Sequence, residues 1–331
     1  MVLAASGRVE RILVAGTGSI GRRHIDNLRR LRPEACFALL RDGARRDAYS
    51  DELQAPVFAT LAEALAWQPQ LALVATPSDR HAEILLPLLQ ARVASFIEKP
   101  VVIQEAALAD LQALDPAALP PTQVGCVLRF LPSLQQVRRW LTEARIGRVV
   151  RASLEVGQWL PDWRPAQDYR QSYSASRSRG GGVVLDLIHE LDLACWLLDE
   201  VTLLGAWGHQ ASSLQIDAED VALLALQASA GTLVAVQLDY VARRPLRQLK
   251  LVGDQGSIHW DLPGRRCTLQ VAGAADENAD GFDTGATYVT AMQDLLAAAE
   301  TGARTSLPLH EGLRATALAI AANHRIRTLH A

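Results

Sequence analysis

Short apolar stretches alternate with amphipathic stretches along the first 125 residues. Almost wholly apolar stretches, typical of buried parallel strands, predict strands at residues 9–15, 36–40, 71–77, 95–97 and 123–127. Helical spacing of apolar residues predicts helices near residues 21–31, 61–66 and 80–90. This alternation indicates right-handed βαβ units, and therefore an α/β fold with a doubly wound parallel sheet.

The pattern changes after about residue 126. A helix is predicted at 133–144 and an alternating strand at 149–159, and Gly180-Gly181-Gly182 opens a very apolar helix. Further strands are predicted at 221–227, 232–240, 247–252 and 257–261, and closing helices at 287–301 and 309–328. We therefore predict two domains, residues 1–125 with the parallel sheet and residues 126–331 with a mostly antiparallel sheet, the last helices being able to pack back on the first domain.

Length, composition and charge agree with a globular protein of two domains. At 331 residues the chain is long enough for about two domains. A hydrophobic content of 49% with 21% charged residues is that of a globular protein, and a net charge of −3 gives no footprint for nucleic acid or an anionic membrane. The cysteines are widely spaced, which argues against a zinc site and favours a reducing compartment. We expect a soluble cytoplasmic protein with no metal.

A glycine-rich turn follows the first predicted strand and opens the first helix. Its residues are Gly16, Thr17, Gly18, Ser19, Ile20 and Gly21. In this context the first glycine permits a tight turn, the second lets the backbone approach a pyrophosphate, and the third lets the helix pack close to the strand. The motif predicts that the first domain is a Rossmann domain that binds a dinucleotide.

The residues after the second strand bear on the choice of cofactor. An acidic residue there would hold an unmodified ribose, whereas a guanidinium suits a 2′-phosphate. Arg41 stands at that position, followed by Asp42, with Arg45 and Arg46 nearby. These residues favour NADP, with Arg41 and Arg45 as ligands. NAD stays the alternative, with Asp42 on the ribose and the arginines as solvated charges.

Glu98-Lys99-Pro100 ends a short apolar strand of the same sheet. Strand ends of a doubly wound sheet open onto the ligand crevice, so Lys99 is expected to face the nicotinamide. The proline restricts the backbone of Lys99 to an extended conformation. Burial lowers the pKa of a lysine toward neutrality, which suits acid/base work. The alternative is a surface lysine paired with Glu98.

A second cluster of polar residues lies in the apolar helix after the triple glycine. Asp186 and His189 are three residues apart, so on a helix they face the same way. A carboxylate beside a histidine fixes its tautomer and makes it a usable acid or base near neutrality. The pattern predicts that Asp186 and His189 are catalytic. We expect His189 and Lys99 to reach one reacting hydroxyl, in a site shared between two domains.

An arginine- and tryptophan-rich segment, residues 158–179, precedes this helix. Trp159, Trp163 and Tyr173 supply stacking faces, and Arg164 supplies a charged donor. The composition suits a wall or lid over a polar, sugar-like substrate; an ordered surface loop or a subunit contact is the alternative. Arg129, at the predicted domain junction, is a further candidate for binding substrate or cofactor.

Several motifs together resemble the Gfo/Idh/MocA oxidoreductases, over nearly the whole chain. They are the glycine turn with His24, Ala75–Pro77 with His81, Glu98–Pro100, the triple glycine with its Asp/His pair, Arg129–Pro132 and Leu309–Arg314. The resemblance implies a Rossmann domain, an open C-terminal sheet often used for homo-oligomerisation, and reversible oxidation of a sugar or cyclitol hydroxyl with NAD(P). It also implies that Thr76, Pro77, His81 and Glu98 contact the cofactor.

Other functions remain open at this stage. The chain departs from the family's commoner spacing, because two residues rather than three separate Asp186 from His189. A non-catalytic dinucleotide-binding sensor or partner subunit, and a reductase of an imine or a linear tetrapyrrole, are alternatives on the same fold. The presence of Lys99, Asp186 and His189 favours the dehydrogenase. The substrate, the physiological direction, the oligomeric state and the identity of the proton carrier stay open.

Overall fold

The structure of the protein is a computed structural model that describes residues 7–330, with side chains up to residue 327. The chain divides into two compact units. Unit 1 comprises the residues up to Val127 together with Gly285–Leu313, and unit 2 comprises Leu128–Thr284 and the residues from Arg314 onward.

Unit 1 is built around a six-stranded, wholly parallel sheet with the order β3-β2-β1-β4-β5-β6. Its strands are β1 (Arg11–Ala15), β2 (Cys36–Leu40), β3 (Val57–Phe58), β4 (Leu71–Val74), β5 (Ala94–Ile97) and β6 (Thr122–Val124). The helices that follow them are α1 (Ser19–Leu31), α2 (Ala48–Glu52), α3 (Leu61–Ala66), α4 (His81–Gln90) and α5 (Glu105–Gln112). This strand order is that of the Rossmann fold, and the predicted parallel sheet is confirmed.

Burial explains why these stretches form a two-sided sheet. Every residue of β4 and β5 is buried, as in a sheet covered by helices on both faces. Helix α1 turns His24, Ile25 and Leu28 inward and its arginines outward. Residues 285–313 complete the unit: Glu300 accepts a bidentate pair of hydrogen bonds from Arg32.

Unit 2 contains an eight-stranded sheet with the order β14-β13-β12-β11-β7-β10-β9-β8. Its strands are β7 (Val149–Gly157), β8 (Val201–His209), β9 (Val221–Ala228), β10 (Leu233–Asp239), β11 (Leu246–Gly253), β12 (Gly256–Asp261), β13 (Arg266–Val271) and β14 (Glu277–Asn278). Only the β7–β10 pair is parallel within the described residues, so the predicted open, mostly antiparallel sheet is confirmed.

The other helices differ from the prediction in one place. They are α6 (Pro132–Thr142), α7 (Val183–Asp186), α8 (His189–Leu198), α9 (Thr284–Thr301) and α10 (Leu309–His330). The single helix predicted after the triple glycine is wrong, because the chain breaks at Leu187, with φ −94° and ψ 33°, and restarts as α8. Among the described residues no helix has the length and apolarity that crossing a membrane requires, and the cytoplasmic location stays a prediction.

Candidate active site

The glycine turn lies where β1 meets α1. Gly16 has a φ of 98°, and a Cβ on it would overlap the carbonyl oxygen of Ala75. A Cβ on Gly21 would overlap the carbonyl oxygen of Gly16. Both positions therefore require glycine, the first for the turn and the second for close packing of helix on strand.

Gly18 differs from these two glycines, because its φ of −66° and the space around it would admit a side chain. It is the N-cap of α1, and no atom lies within 4 Å of a Cβ built on it, so the space beside it is open. In the loop after β4, the Thr76 hydroxyl is buried with no hydrogen-bond partner among the described residues. An open glycine at a helix N-terminus and an unpaired hydroxyl fit the pyrophosphate of a dinucleotide. The other predicted cofactor residues of this turn and loop are Thr17, Ser19, Ile20 and Pro77.

Arg41 follows β2 and reaches back to the glycine turn. Its Nη2 donates to Thr17 Oγ1 at 2.9 Å, and its Nη1 lies 2.8 Å from Asp47 Oδ1. The hydrogen bond from Arg41, with one from the backbone of Ser50, lowers the pKa of Asp47 to about 2. Arg41 therefore places a positive charge beside the turn, and Asp47 balances it. The predicted ligand Arg45 touches Arg41 through its carbonyl oxygen, at 3.2 Å.

Asp42, the alternative ribose ligand, takes another partner. Its two oxygens accept hydrogen bonds from the guanidinium of Arg80 at 2.9 and 3.1 Å. The Asp42 side chain is 80% exposed, against 14% for Arg41. Of the two residues, Arg41 is the one that contacts the glycine turn.

Lys99 lies just beyond β5, at the carboxyl end of the parallel sheet, where the strand pattern predicts it. Within the described stretch 93–102, every residue except Lys99 is buried. The bond between Lys99 and Pro100 is cis. The loop therefore presents one ionisable side chain to its surroundings.

Glu98 turns away from Lys99 into the core of unit 1. Its Oε1 lies 2.7 Å from Nε2 of His24, which is fully buried, and its Oε2 accepts the backbone N–H of Lys99 at 3.2 Å. Burial would raise the pKa of Glu98, but the hydrogen bond from His24 and the charge of Lys99 hold that pKa below its usual value. Glu98 is thus an ionised anchor for the loop, and its predicted contact with the cofactor stays a prediction.

His81, predicted from the resemblance as a cofactor contact, is also fully buried. Its Nδ1 lies 3.0 Å from the carbonyl oxygen of Pro100, and its Nε2 lies 2.9 Å from that of Thr76. Burial lowers the pKa of the His81 ring, although these carbonyl oxygens favour the protonated form. Because both nitrogens face the backbone, His81 ties the loop that carries Thr76 to the loop that carries Lys99.

The break between α7 and α8 changes the expected relation of Asp186 and His189. Asp186 ends α7 and His189 begins α8, so the two residues do not share a face of one helix. Asp186 is 3% exposed and accepts hydrogen bonds from the hydroxyls of Tyr173, Ser174 and Tyr240. The carboxylate predicted to orient His189 is therefore occupied by hydroxyl donors.

The two other carboxylates around His189 are buried in ion pairs. Asp192 receives two hydrogen bonds from Arg129, at 2.9 and 2.7 Å, and Glu190 lies 2.9 Å from the Nε of Arg247. Arg129, predicted to bind substrate or cofactor, is only 4% exposed, and its charge is compensated by Asp192. Within the described stretch 180–195, His189 is the one residue that is partly exposed.

The arginine- and tryptophan-rich segment, residues 158–179, forms a series of short 3-10 turns around a small pocket. Trp163, Arg164 and Ser174 are among the residues that line the pocket. The ring of Trp159 stacks on Arg243, with 3.6 Å from the guanidinium to the ring centroid. The segment is thus ordered, and its role as a wall or lid over a substrate stays a prediction.

Two residues that matter to this arrangement were not predicted as site residues. His24 entered only as part of a motif, although its position three residues after Gly21, on the apolar side of α1, indicates a buried histidine in need of a partner. Tyr240 has no local signal, because it follows a strand and its partner Asp186 lies 54 residues away.

The fold and the glycine turn define a dinucleotide-binding protein, and comparison with protein families identifies the class as an oxidoreductase. Residues 10–118 match the model of an oxidoreductase family with an NAD-binding Rossmann fold, and residues 134–259 match the GFO/IDH/MocA C-terminal domain. The chain belongs to the Gfo/Idh/MocA family of oxidoreductases, as its motifs indicated.

Individual relatives cover nearly the whole chain. Inositol 2-dehydrogenase 2 of Saccharopolyspora erythraea is 26% identical over 95% of this chain and 92% of its own. The WlbA dehydrogenase of Bordetella pertussis, solved with NADH and UDP-GlcNAcA, has a TM-score of 0.83 at 19% identity, over 98% of this chain and 97% of its own. An oxidoreductase from Agrobacterium radiobacter, solved with NAD+, L-tartaric acid and magnesium, has a TM-score of 0.82 at 19% identity, over 96% of both chains.

Proposed function

We propose that the protein transfers a hydride between NAD(P) and a secondary hydroxyl or ketone of a sugar, cyclitol or sugar derivative. One observation carries this proposal. Each of the two buried motifs leaves one ionisable side chain accessible, Lys99 in unit 1 and His189 in unit 2. A lysine and a histidine can serve alcohol oxidation, since one can take the hydroxyl proton while the other holds the oxygen.

The roles of the residues follow from their surroundings. Gly16, Gly18 and Gly21 form the phosphate turn, and Thr76 is the hydroxyl available beside it. When bound, the nicotinamide cofactor supplies the hydride acceptor or donor. Lys99 and His189 bind the reacting oxygen and exchange its proton, while Glu98 and His81 hold the loop that carries Lys99.

The substrate class rests on the relatives. One of them is named an inositol dehydrogenase, and another was solved with a nucleotide-linked sugar acid. The test is a panel of cyclitols, sugars, sugar acids and nucleotide sugars, scored by NADH or NADPH absorbance at 340 nm. Cofactor binding with no turnover on any member would favour the non-catalytic sensor over the enzyme.

We further propose that NADP is the preferred cofactor. The support is Arg41, whose guanidinium contacts Thr17 of the glycine turn and is mostly buried, at 14% exposure. A 2′-phosphate there would replace Asp47 as the partner of this charge.

Arg41→Ala should lower the affinity for NADPH at least tenfold and leave that for NADH within about twofold, as one lost charge-assisted contact implies. Arg46→Ala, which removes an arginine paired with Asp51, is the matched control. A parent that prefers NADH would contradict the proposal.

We also propose that the protein is a homo-oligomer through the open face of the unit 2 sheet. Trp207 and Leu223 are register partners on that face, 52% and 43% exposed, and Leu233 of β10 is 57% exposed. Exposed apolar patches of this kind mark interfaces. Trp207→Glu should convert the oligomer to a monomer in light scattering, whereas Arg139→Glu, at an exposed position of helix α6, should not. A parent that is monomeric would contradict the proposal.

A further inference from the structure

Asp186 is surrounded by hydroxyl groups. The hydroxyl of Tyr173 donates to its Oδ1 at 2.5 Å, and those of Ser174 and Tyr240 donate to its Oδ2 at 2.7 and 3.0 Å. Burial, followed by the charge of Asp186, raises the pKa of Tyr240 well above its usual value, so Tyr240 keeps its proton and donates. Both carboxylate oxygens are therefore engaged as acceptors.

Two of these donors, Tyr173 and Ser174, belong to segment 158–179, which surrounds the pocket. Ser174 lines the pocket, and Tyr173 is its neighbour in the chain. Trp163, another lining residue, packs edge-on against Tyr240 with ring centroids 5.4 Å apart. Asp186 thus holds the segment directly through Tyr173 and Ser174, and indirectly through the ring of Tyr240.

The triple glycine fits the same arrangement. A Cβ on Gly181 would overlap the carbonyl oxygens of Tyr173 and Ser174, so only glycine allows the segment to lie this close to the start of α7. The N–H of Gly182 donates to the carbonyl oxygen of Ser174 at 3.2 Å, and that of Gly181 donates to Ser176 at 2.8 Å. The segment is therefore held both by backbone hydrogen bonds to the triple glycine and by side-chain hydrogen bonds to Asp186.

We propose that Asp186 is a positioning residue that fixes the pocket-forming segment 158–179, and that it carries no proton in the reaction. The kinetic part of this proposal rests on the proposed function, whereas the structural part does not. The two residues then have different roles: Asp186 orders the wall, and His189 is the candidate for proton exchange with the substrate.

The structural test is hydrogen–deuterium exchange of residues 169–179 in the full chain. Asp186→Asn and Tyr240→Phe should each raise exchange in this segment about tenfold, the effect of losing hydrogen bonds to a buried charge. Ser212→Ala is the matched control, because it removes a hydroxyl-to-carboxylate bond of 2.6 Å to Asp220, outside the cluster. Unchanged exchange in Asp186→Asn would overturn the proposal, whether or not any substrate is found.

The kinetic test uses myo-inositol, or whichever member of the panel the parent enzyme turns over. Asp186→Asn and Tyr240→Phe should both raise KM about tenfold, with kcat and the shape of the pH–rate profile kept, because both variants loosen the same wall. Tyr240→Phe leaves the carboxylate in place and is the milder change for folding. If Asp186→Asn abolishes kcat or removes a limb of the profile while Tyr240→Phe behaves like the parent, Asp186 carries a proton and the proposal fails.

Discussion

The loop at Lys99 and the helix break at His189 both carry a partly exposed ionisable residue within a buried stretch, but the contacts around the two residues differ in origin. At Lys99 the anchors are His24 and His81, which belong to the helices that follow β1 and β4 of the same sheet. Around His189, the buried carboxylates Asp186, Glu190 and Asp192 instead take partners scattered over unit 2, namely Tyr173, Arg247 and Arg129.

This difference in origin indicates which kind of motif predicts its own structural surroundings. A motif at a strand end inherits its surroundings from the sheet, so its local sequence describes it well. A motif at a helix start depends on partners brought by the tertiary fold. The predictions below test this contrast.

The largest effect is expected at Lys99. Lys99→Ala should lower kcat by about a thousandfold or more, because the group that holds or protonates the reacting oxygen is lost, while cofactor affinity in a fluorescence titration stays within a few fold. Lys250→Ala, which removes an exposed lysine in unit 2, should leave both quantities unchanged. A variant that loses cofactor binding and kcat together would show that Lys99 serves the cofactor instead.

The buried pair on the His189 side should dominate stability. Arg129→Met should lower the free energy of unfolding by about 3–5 kcal/mol, because Asp192 would keep a buried charge without this partner. Arg32→Met, which breaks the half-exposed pair with Glu300 in unit 1, should cost about 1 kcal/mol. Urea denaturation measures both variants. Equal losses would mean that burial does not separate the two pairs.

His189 is expected to show itself in the pH dependence. His189→Asn should lower kcat about a hundredfold and remove the limb of the pH–rate profile that lies near neutrality, since asparagine cannot titrate. Steady-state rates between pH 5 and 9 are the measurement. A profile that matches the parent would exclude histidine as the titrating group and leave Lys99 as the proton carrier.

Glu98 should produce the smallest effect, in acid stability. Its pKa is lowered in the folded state, so the ionised form stabilises the protein above the ordinary glutamate value of about 4.5, and this stabilisation is lost as the pH falls through the folded-state value. Glu98→Gln should therefore cost roughly 1 kcal/mol at pH 7, with a smaller difference from the parent near pH 4. Thermal denaturation across this range measures it, with exposed Glu34→Gln as control. A difference that does not change with pH would assign the loss to packing.

Much of the fold follows from local patterns. Helix α3 and strand β2 coincide with the predicted ranges, whereas β9 differs from prediction by one residue at one end and β10 by one residue at each end. The helix after the triple glycine was mispredicted, because an apolar run carries no mark of a break at Leu187. Strands β8 and β13 lie outside the predicted elements.

The candidate site divides in the same way. The glycine turn and the strand-end lysine are local in origin, since each depends on a few neighbouring residues and on the geometry of parallel strands. The partners of Asp186 and Asp192 lie up to 54 and 63 residues away, and no periodicity in the chain pairs them.

By itself, the sequence determined the family, the class of cofactor and the identity of Lys99 and His189 as candidate groups, because glycines, strand ends and titratable side chains act through local chemistry. The tertiary structure decided which carboxylates are spent on anchoring and which ionisable groups stay accessible. That outcome depends on burial and on the hydrogen-bond donors that distant segments bring together, which is a property of the folded chain.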